Sequence, residues 1–555
     1  MQAADKINRP EAFGWMKKPE SVKEDQIKET VEADVVIIGA GQAGTCAARA
    51  ASEKAGVKVV VIEQQERENQ FILGVGEIGH INSKWQASQG VAEVDVDEFV
   101  NDWQLRTNNR SNYRLIRKFA ENCGACFDWF IEPLSQEERA AIYPRIQKPS
   151  PNMPKTLNGI HAYPGTAMMG VKGQNIAIKK NQLLAEKQGA VFYFETRARE
   201  LLKDGARISG VVAEKKDGSF IRIKASKGVI IAAGDYSRNR QMCIDLLTEA
   251  ADLVDNDSDW LGHGWDGSGI QMGVWAGGRL EPRSHCATGG NYSLPGFDVT
   301  GSAAVLRVNK YGKRYSNEGF GTHILAALAG AKQPNGMLYG IFDDNIREEL
   351  TYQTPCHAVI DYCDGERMAK LDRQLQRARE AGREGYAITP VKGSEAEDTR
   401  PVRVLYAADT IEQLAEYMFE DQACRNQFLA TVERYNELCR KGKDPDFGKE
   451  KALLHEIKQP PFYAMGQLKD SHHPIGQSFK LLVTMSGLLI DENQQVLDDE
   501  YEPMEGLFAT GNSSGCRFGF QYTSSLPGES IAMAQTMGML AGRYVAEQKP
   551  GRRSL

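Results

Sequence analysis

The chain has 555 residues, with 67 Lys+Arg against 74 Asp+Glu, a formal net charge of −7, and 54 glycines. A hydrophobic share of 41% is ample for a core and excludes a disordered chain, and no run of ~18 apolar residues is present to span a bilayer. The mild acidity is spread along the chain and argues against a dedicated nucleic-acid binder, which leaves a large, glycine-rich, soluble enzyme as the expectation.

Residues 1–30 form a polar extension without the apolar core of a secretory signal. As it stands the chain is expected to be cytoplasmic; an exported form from which a signal peptide had been removed would read the same. Asp34-Val35-Val36-Ile37-Ile38 then reads as a buried parallel strand. Gly39-Ala40-Gly41-Gln42-Ala43-Gly44 follows, then a small-residue helix, then a second strand, Lys58–Ile62, ending at Glu63. This is GxGxxG in the setting its chemistry needs. Gly39 makes the tight turn, Gly41 lets the backbone approach a pyrophosphate, and Gly44 allows close helix–sheet packing. The helix N-terminus offers free N–H groups to phosphate, and Glu63 can accept from ribose hydroxyls.

Further on, Cys123-Gly124-Ala125-Cys126 lies in a helical stretch, with neither a following His nor a second CxxC. A structural role is expected for it, and the ten scattered cysteines are expected to be reduced. Gly228–Asp235 is another strand ending in a small-residue turn. The glycine run Gly267–Gly273 lacks a preceding apolar strand, so no second nucleotide-binding domain is expected. Residues 366–400 read as a solvated helix and insertion, and His472-His473-Pro474 as a hinge; no metal site is expected. Gly506–Asn512 is a strand entering a glycine turn, and Gly528–Ala534 opens a terminal amphipathic helix. A remote second strand–turn–helix returning to the first suits a ligand as long as FAD, and the positive end of the last helix could stabilise charge at flavin N1/O2.

In this order, DVVIIGAGQAG…VIE, IIAAGD, GWDGSGIQMGVWAGG, VNKYGKRYSNE, PPFYA and GLFATGN resemble the fumarate reductase/succinate dehydrogenase flavoprotein family, in particular its soluble single-chain reductases and the related ketosteroid dehydrogenases. The resemblance implies an α/β fold: a Rossmann-like FAD-binding domain, discontinuous over residues 31–280 and 466–548, around an α+β capping domain at 281–465, with a tail at 549–555. The cofactor contacts it implies are Gly39, Ala40, Gly41, Gly44, Glu63, Gly79, His80, Gly234, Gly511, Asn512, Ser530 and Ile531. It places His285 and Asp298, 13 residues apart, where fumarate reductases carry a substrate-binding His and a proton-relay carboxylate.

The chain departs from the family where fumarate reductases use arginines, now Thr322 (beside His323) and Ser525, and a histidine, now Val483. Little is left to hold a small dicarboxylate, so fumarate is not the expected substrate. Nearby, Tyr522 can donate a proton or polarise a carbonyl, Arg517 can bind a carboxylate or stabilise an enolate, and Phe518 and Phe520 suggest an aromatic or planar substrate. The expected activity is FAD-dependent reduction of an activated C=C bond. The alternative is dehydrogenation of a ketosteroid-like CH–CH bond. With no ferredoxin-type cysteines or haem motif visible, a separate electron donor, flavoprotein or cytochrome, is expected.

Overall fold

The computed structural model describes residues 14–550 apart from 75, 155, 158–159, 248–263, 290–294, 297, 321–328, 354–359, 389–402, 468–480, 521 and 523–525. At its centre runs β1 (Ile27–Ile38). Successive side chains of a strand point to opposite faces: Val36 and Ile38 join the core on one side of the sheet, Val35 and Ile37 the core on the other. Each such aliphatic side chain contributes about 1.5–3 kcal/mol by leaving water.

The helix α1 (Gln42–Ser52) leads to β2 (Val59–Ile62), which pairs parallel with β1. The short β3 (Glu77–Ile78) and the helices α2 (Val96–Arg106) and α3 (Tyr113–Phe130) come next. Both CxxC thiols are free and buried inside α3, and burial pushes each up to about 12, so neither is a thiolate near neutral pH. Four strands follow: β4 (Val191–Tyr193), β5 (Thr196–Asp204), β6 (Arg207–Lys215) and β7 (Phe220–Ile231). The twelve-residue β7 lies parallel to β1 along its length and divides its other edge between two partners. Its first half pairs antiparallel with β6, and its second half lies parallel to a C-terminal strand. The glycine run at 267 becomes α4 (Ser268–Trp275), capped by Gly267 at φ 74°.

After β8 (Ala287–Gly289) the chain builds a second, antiparallel sheet from β9 (Leu306–Asn309), β10 (Leu338–Phe342), the helix α5 (Gly365–Ala381), β11 (Tyr386–Ile388), β12 (Arg403–Ala408) and β13 (Phe462–Gln467). Strand β12 alternates: Val404, Tyr406 and Ala408 enter one core, Leu405 and Ala407 another lined by α5. The GKRYSNE stretch supplies this segment with buried charge. Arg314 pairs with Glu318 at 2.8 Å and Asp444 at 2.7 Å, and Lys449 lies 3.5 Å from Glu318. Burial would raise the Glu318 carboxyl, but Lys449 and Arg314 outweigh it and hold it below the ordinary range.

The chain returns through β14 (Leu481–Thr484), antiparallel to β8, so departure and return lie side by side. Then β15 (Gln495–Leu497) and β16 (Pro503–Ala509) complete an eight-stranded sheet with the order β15-β16-β7-β1-β2-β4, β6 and β5 extending from β7. The last helix, α6 (Glu529–Glu547), crosses α1 closely, because a Cβ at Gly538 or Gly542 would strike the Ala43 or Ala47 carbonyl.

Candidate active site

The glycine turn after β1 is built by exclusion. At Gly39, φ is 104° and a side chain would strike the Ala232 carbonyl; at Gly44 a side chain would strike the Gly39 carbonyl. A Cβ on Gly41 meets no protein atom within 4 Å. The protein therefore leaves open the side of the turn at which a pyrophosphate would approach, and no side chain caps the N-terminus of α1. Glu63 fixes the turn from the end of β2: its Oε2 accepts from Ala40 N at 2.8 Å and its Oε1 from Gln65 N at 2.9 Å. Oε2 also accepts from Gln70 Nε2 at 3.4 Å, so the lone pair left for a ribose hydroxyl is on Oε1.

The second half of the cradle comes from the C-terminal turn. Gly511, at φ 59°, sits against Ala43 of α1, and Ser513 Oγ donates to the Gly234 carbonyl at 2.8 Å. Asn512 Oδ1 accepts from Arg517 Nη2 at 3.1 Å. The Trp265 ring stands over Gly234, where a side chain would collide with it. At α6 the N-cap is Gly528, at φ 76°, again with no side-chain cap. Two amides expected to face the flavin have contacts within the protein. Ser530 N donates to the Tyr522 hydroxyl at a long 3.4 Å, and Ile531 N to the Gly528 carbonyl at 3.1 Å.

Between these turns lies a buried cluster. Arg517, 1% exposed, donates through Nε to the Ser514 carbonyl at 3.1 Å and through Nη2 to the Met485 carbonyl at 3.0 Å, while its Nη1 has no partner. Burial pulls its guanidinium down to about 10, against the attraction of Glu281. Glu281 accepts from Gly487 N at 3.2 Å and Cys516 N at 2.9 Å. Burial pushes its carboxyl up to about 7, opposed by those amides and by Arg517. Tyr522 is buried, its ring edge-on to Phe518 with centroids 5.1 Å apart, and Phe518 packs on Trp103, whose indole donates to the Arg517 carbonyl at 2.7 Å. The loop expected to face the flavin is thus aromatic on one side and cationic on the other. Phe520, by contrast, is 40% exposed beneath the Arg110 guanidinium.

Three expected site residues are placed differently. His285 is buried with both ring nitrogens engaged: Nε2 donates to the Glu281 carbonyl at 3.0 Å and Nδ1 accepts from the Tyr236 hydroxyl at 2.9 Å. A neutral ring so occupied has no hydrogen bond left for a substrate, and burial pulls it down to about 4. Asp298 pairs with Arg403 of β12 at 3.1 Å, in a shallow cleft beside α5 with Gln374 and Tyr386, so it shares no contact with His285 that would make the two a relay. His80 is also saturated. Nδ1 donates to the Ile78 carbonyl at 3.1 Å, Nε2 accepts from Ser83 at 2.8 Å, and the ring stacks on Phe127 at 4.0 Å. It braces the scaffold and offers the cofactor no ring nitrogen. Gly79 admits the backbone of Pro527–Glu529, which a side chain would displace. Val483 is buried in β14. Thr322, His323, Ser525 and the His472-His473-Pro474 run lie outside the described residues. Glu281, Tyr236 and Glu529 escaped sequence reasoning. Glu529 lies within the 526–531 stretch and Tyr236 directly after Asp235, but no role could be read for either from the sequence, and nothing in it singles out Glu281.

An open pyrophosphate turn and an uncapped second helix fit a long anionic dinucleotide and define an FAD-binding oxidoreductase. Residues 34–531 match the model of the FAD binding domain family, and the chain belongs to that family. It is 24% identical over 534 residues to a vinyl phenol reductase of Lactiplantibacillus plantarum, covering 93% of this chain and 96% of that one. It is 25% identical over 388 residues to an NADH:acrylate oxidoreductase of Vibrio harveyi, covering 68% of this chain and only 32% of that longer protein. Among solved structures, a 3-ketosteroid Δ4-(5α)-dehydrogenase of Rhodococcus jostii superposes with a TM-score of 0.65 at 21% identity, covering 96% of this chain and all of that one. The protein is a fumarate reductase-like flavoprotein, an FAD-dependent oxidoreductase acting on CH–CH bonds. Among the described residues, no helix is long and apolar enough to cross a membrane.

Proposed function

We propose that this enzyme reduces the activated C=C bond of an α,β-unsaturated acid or ketone, aromatic or polycyclic rather than fumarate. The observation that carries this reading is the Arg517–Tyr522 pair: a buried guanidinium with a free Nη1 beside a buried phenol, against the rings of Phe518 and Trp103. Bound FAD would supply hydride chemistry at N5, cradled by Gly39–Gly44, Glu63, Gly511–Asn512 and the start of α6. Arg517 holds the electron-withdrawing group and stabilises the charge that develops on it, an interaction strengthened by burial. Tyr522 gives its hydroxyl proton to the carbon next to that group. The 281–465 segment closes over the site and excludes water. The vinyl phenol reductase relative supports an aromatic substrate. Electrons come from a separate donor, a flavoprotein or cytochrome.

Photoreduced enzyme mixed with cinnamate-like acids, vinyl phenols, cyclic enones and fumarate tests the reading. Flavin reoxidation by at least one aromatic or polycyclic compound and not by fumarate is expected. Reoxidation by quinones alone would refute it and favour the second reading, dehydrogenation of a steroid-like ketone, which the ketosteroid dehydrogenase fold supports.

A further inference from the structure

Away from the paired β8 and β14, the segment 281–465 also touches the rest of the protein just before α5. Asp361 Oδ2 accepts from Ile146 N at 3.0 Å, the Tyr362 hydroxyl accepts from Ser150 N at 2.7 Å, and the Cys363 thiol donates to the Lys148 carbonyl at 3.6 Å. Asp361 is braced from its own side, because its Oδ1 accepts from Cys363 N at 2.8 Å. The Tyr362 ring packs with Ile360 and Met368 on the core that α5 shares with β12. These residues are therefore carried by the second sheet, while the loop they hold, 145–150, belongs to the cofactor-binding part of the chain.

That loop is strained where Asp361 grips it. Ile146 is buried with φ at 55°, a region a β-branched residue rarely adopts. Such a conformation persists only where neighbours enforce it, and here a carboxylate from the other segment fixes the Ile146 amide. Two routes of direct contacts lead from Ile146 to the start of α6. Arg145 N donates to the Thr166 carbonyl at 2.8 Å, and Thr166 Oγ1 donates to the Pro527 carbonyl at 2.8 Å. Arg145 Nη1 also pairs with Glu77 of β3 at 2.7 Å, and a side chain at Gly528 would strike the Glu77 carbonyl. Backbone pairing of Ala167–Met168 with both Tyr143–Pro144 and β3 ties the same parts together. Gly528 is the N-cap of α6, on the turn expected to face the flavin.

We propose that Asp361 is a positioning residue for the cofactor: by holding Ile146 left-handed it sets the Pro527–Gly528 turn, so that docking of the 281–465 segment is felt at the flavin. This rests on that segment closing over the site and on the start of α6 cradling FAD, not on which bond is reduced. Ile146 is the two-state element. With Asp361 engaged its backbone stays left-handed; released, it relaxes to an ordinary region and carries Arg145 with it. Arg145 then no longer holds Thr166 and Glu77 in the geometry that seats Pro527 and Gly528. Coupling of this kind is reciprocal, so bound FAD in turn favours the docked segment.

The test is hydrogen–deuterium exchange of the FAD-bound enzyme, wild type against Asp361→Ala, read together with the visible circular dichroism of the bound flavin. Loss of a hydrogen bond to a charged group corresponds to about tenfold faster exchange at 145–150. Exchange at 526–530 is expected to rise by about threefold or more as well, with a changed flavin dichroism band, full FAD content and an unchanged Gly39–Gly44 turn. Faster exchange confined to 143–150 and 361–364, with an unchanged flavin band, would overturn the proposal. Tyr362→Phe keeps the ring and removes one hydroxyl, so it should act in the same direction by about threefold at 145–150; if D361A unfolds or loses its flavin, Y362F decides, and wild-type exchange at 526–530 in it refutes. No substrate is needed, so failure of the ene-reductase reading leaves the outcome standing. Closure is checked separately with a cinnamate-like acid that perturbs the flavin spectrum of the wild type. Protection of 361–364 by the acid supports closure; no protection, with 526–530 still loosened in D361A, would sink closure alone.

Discussion

Replacing Glu281 by Gln removes a buried charge while keeping size and one acceptor. The Glu281 carboxyl ordinarily titrates at 4.5 and is pushed up to about 7 in the folded protein, with burial the leading cause. The fold therefore favours the protonated form. Its stabilising contribution is complete below the unfolded value and is lost as pH rises through the folded one. Over that span wild type forfeits about 3 kcal/mol, at 1.36 kcal/mol per pH unit. Gln does not titrate and forfeits nothing. It does turn an NH₂ toward one of the two amides, Gly487 N or Cys516 N, that the carboxylate now satisfies, at about 1–3 kcal/mol. E281Q is thus expected to be the less stable protein near pH ~4.5 and to draw level with or overtake wild type by pH ~8. Thermal unfolding followed by circular dichroism reads this out. With about 2.1 cal/mol/K of unfolding entropy per residue, ~3 kcal/mol corresponds to about 2–3 °C in the relative Tm. Parallel Tm–pH curves for the two proteins would refute the reasoning, because they would mean that Glu281 carries the same proton folded and unfolded.

Gly44→Ala places a methyl against the Gly39 carbonyl and Ala232 Cβ; overpacking of about 1–3 kcal/mol and loss of most bound FAD are expected, measured by absorbance of the purified protein. Tyr522→Phe keeps the ring and its Phe518 contact but removes the proton, so reoxidation of reduced enzyme by an unsaturated substrate should slow by about 10²-fold or more with FAD content unchanged. Asp298→Asn removes the charge paired with Arg403, 2% exposed in its side chain, and should cost about 1–3 kcal/mol in unfolding free energy. Its flavin reduction and reoxidation should stay near wild type; a large loss of turnover with unchanged stability would restore Asp298 to the chemistry.

The dinucleotide cradle was legible because its requirements are local. A tight turn, a close backbone approach and an acid ending the next strand each demand a residue type at fixed spacing, so Gly39, Gly41, Gly44 and Glu63 stand where the motif puts them. Strand β1 was legible from its β-branched run, which is buried on both faces, and the CxxC from its place in an amphipathic helix, now α3. The occupancy of a hydrogen-bonding group was not legible. His80, His285 and Asp298 carry chemistry-capable side chains at expected positions, yet Ser83, Tyr236 and Arg403, from three different distances along the chain, take up their capacity.

In the sequence, the glycine spacing after β1 pointed to a dinucleotide, the remote C-terminal strand–turn–helix to FAD, and the resemblance to fumarate reductases implied that the arginines a small dicarboxylate needs are missing. Which acids and bases are buried and which are engaged by partners was decided only when β3, α2, the segment before β8 and α6 packed together. A side chain's protonation and availability depend on burial and on partners that are remote in sequence: Glu281 and Glu529 are ordinary glutamates in the sequence and become proton-holding acids only in the interior.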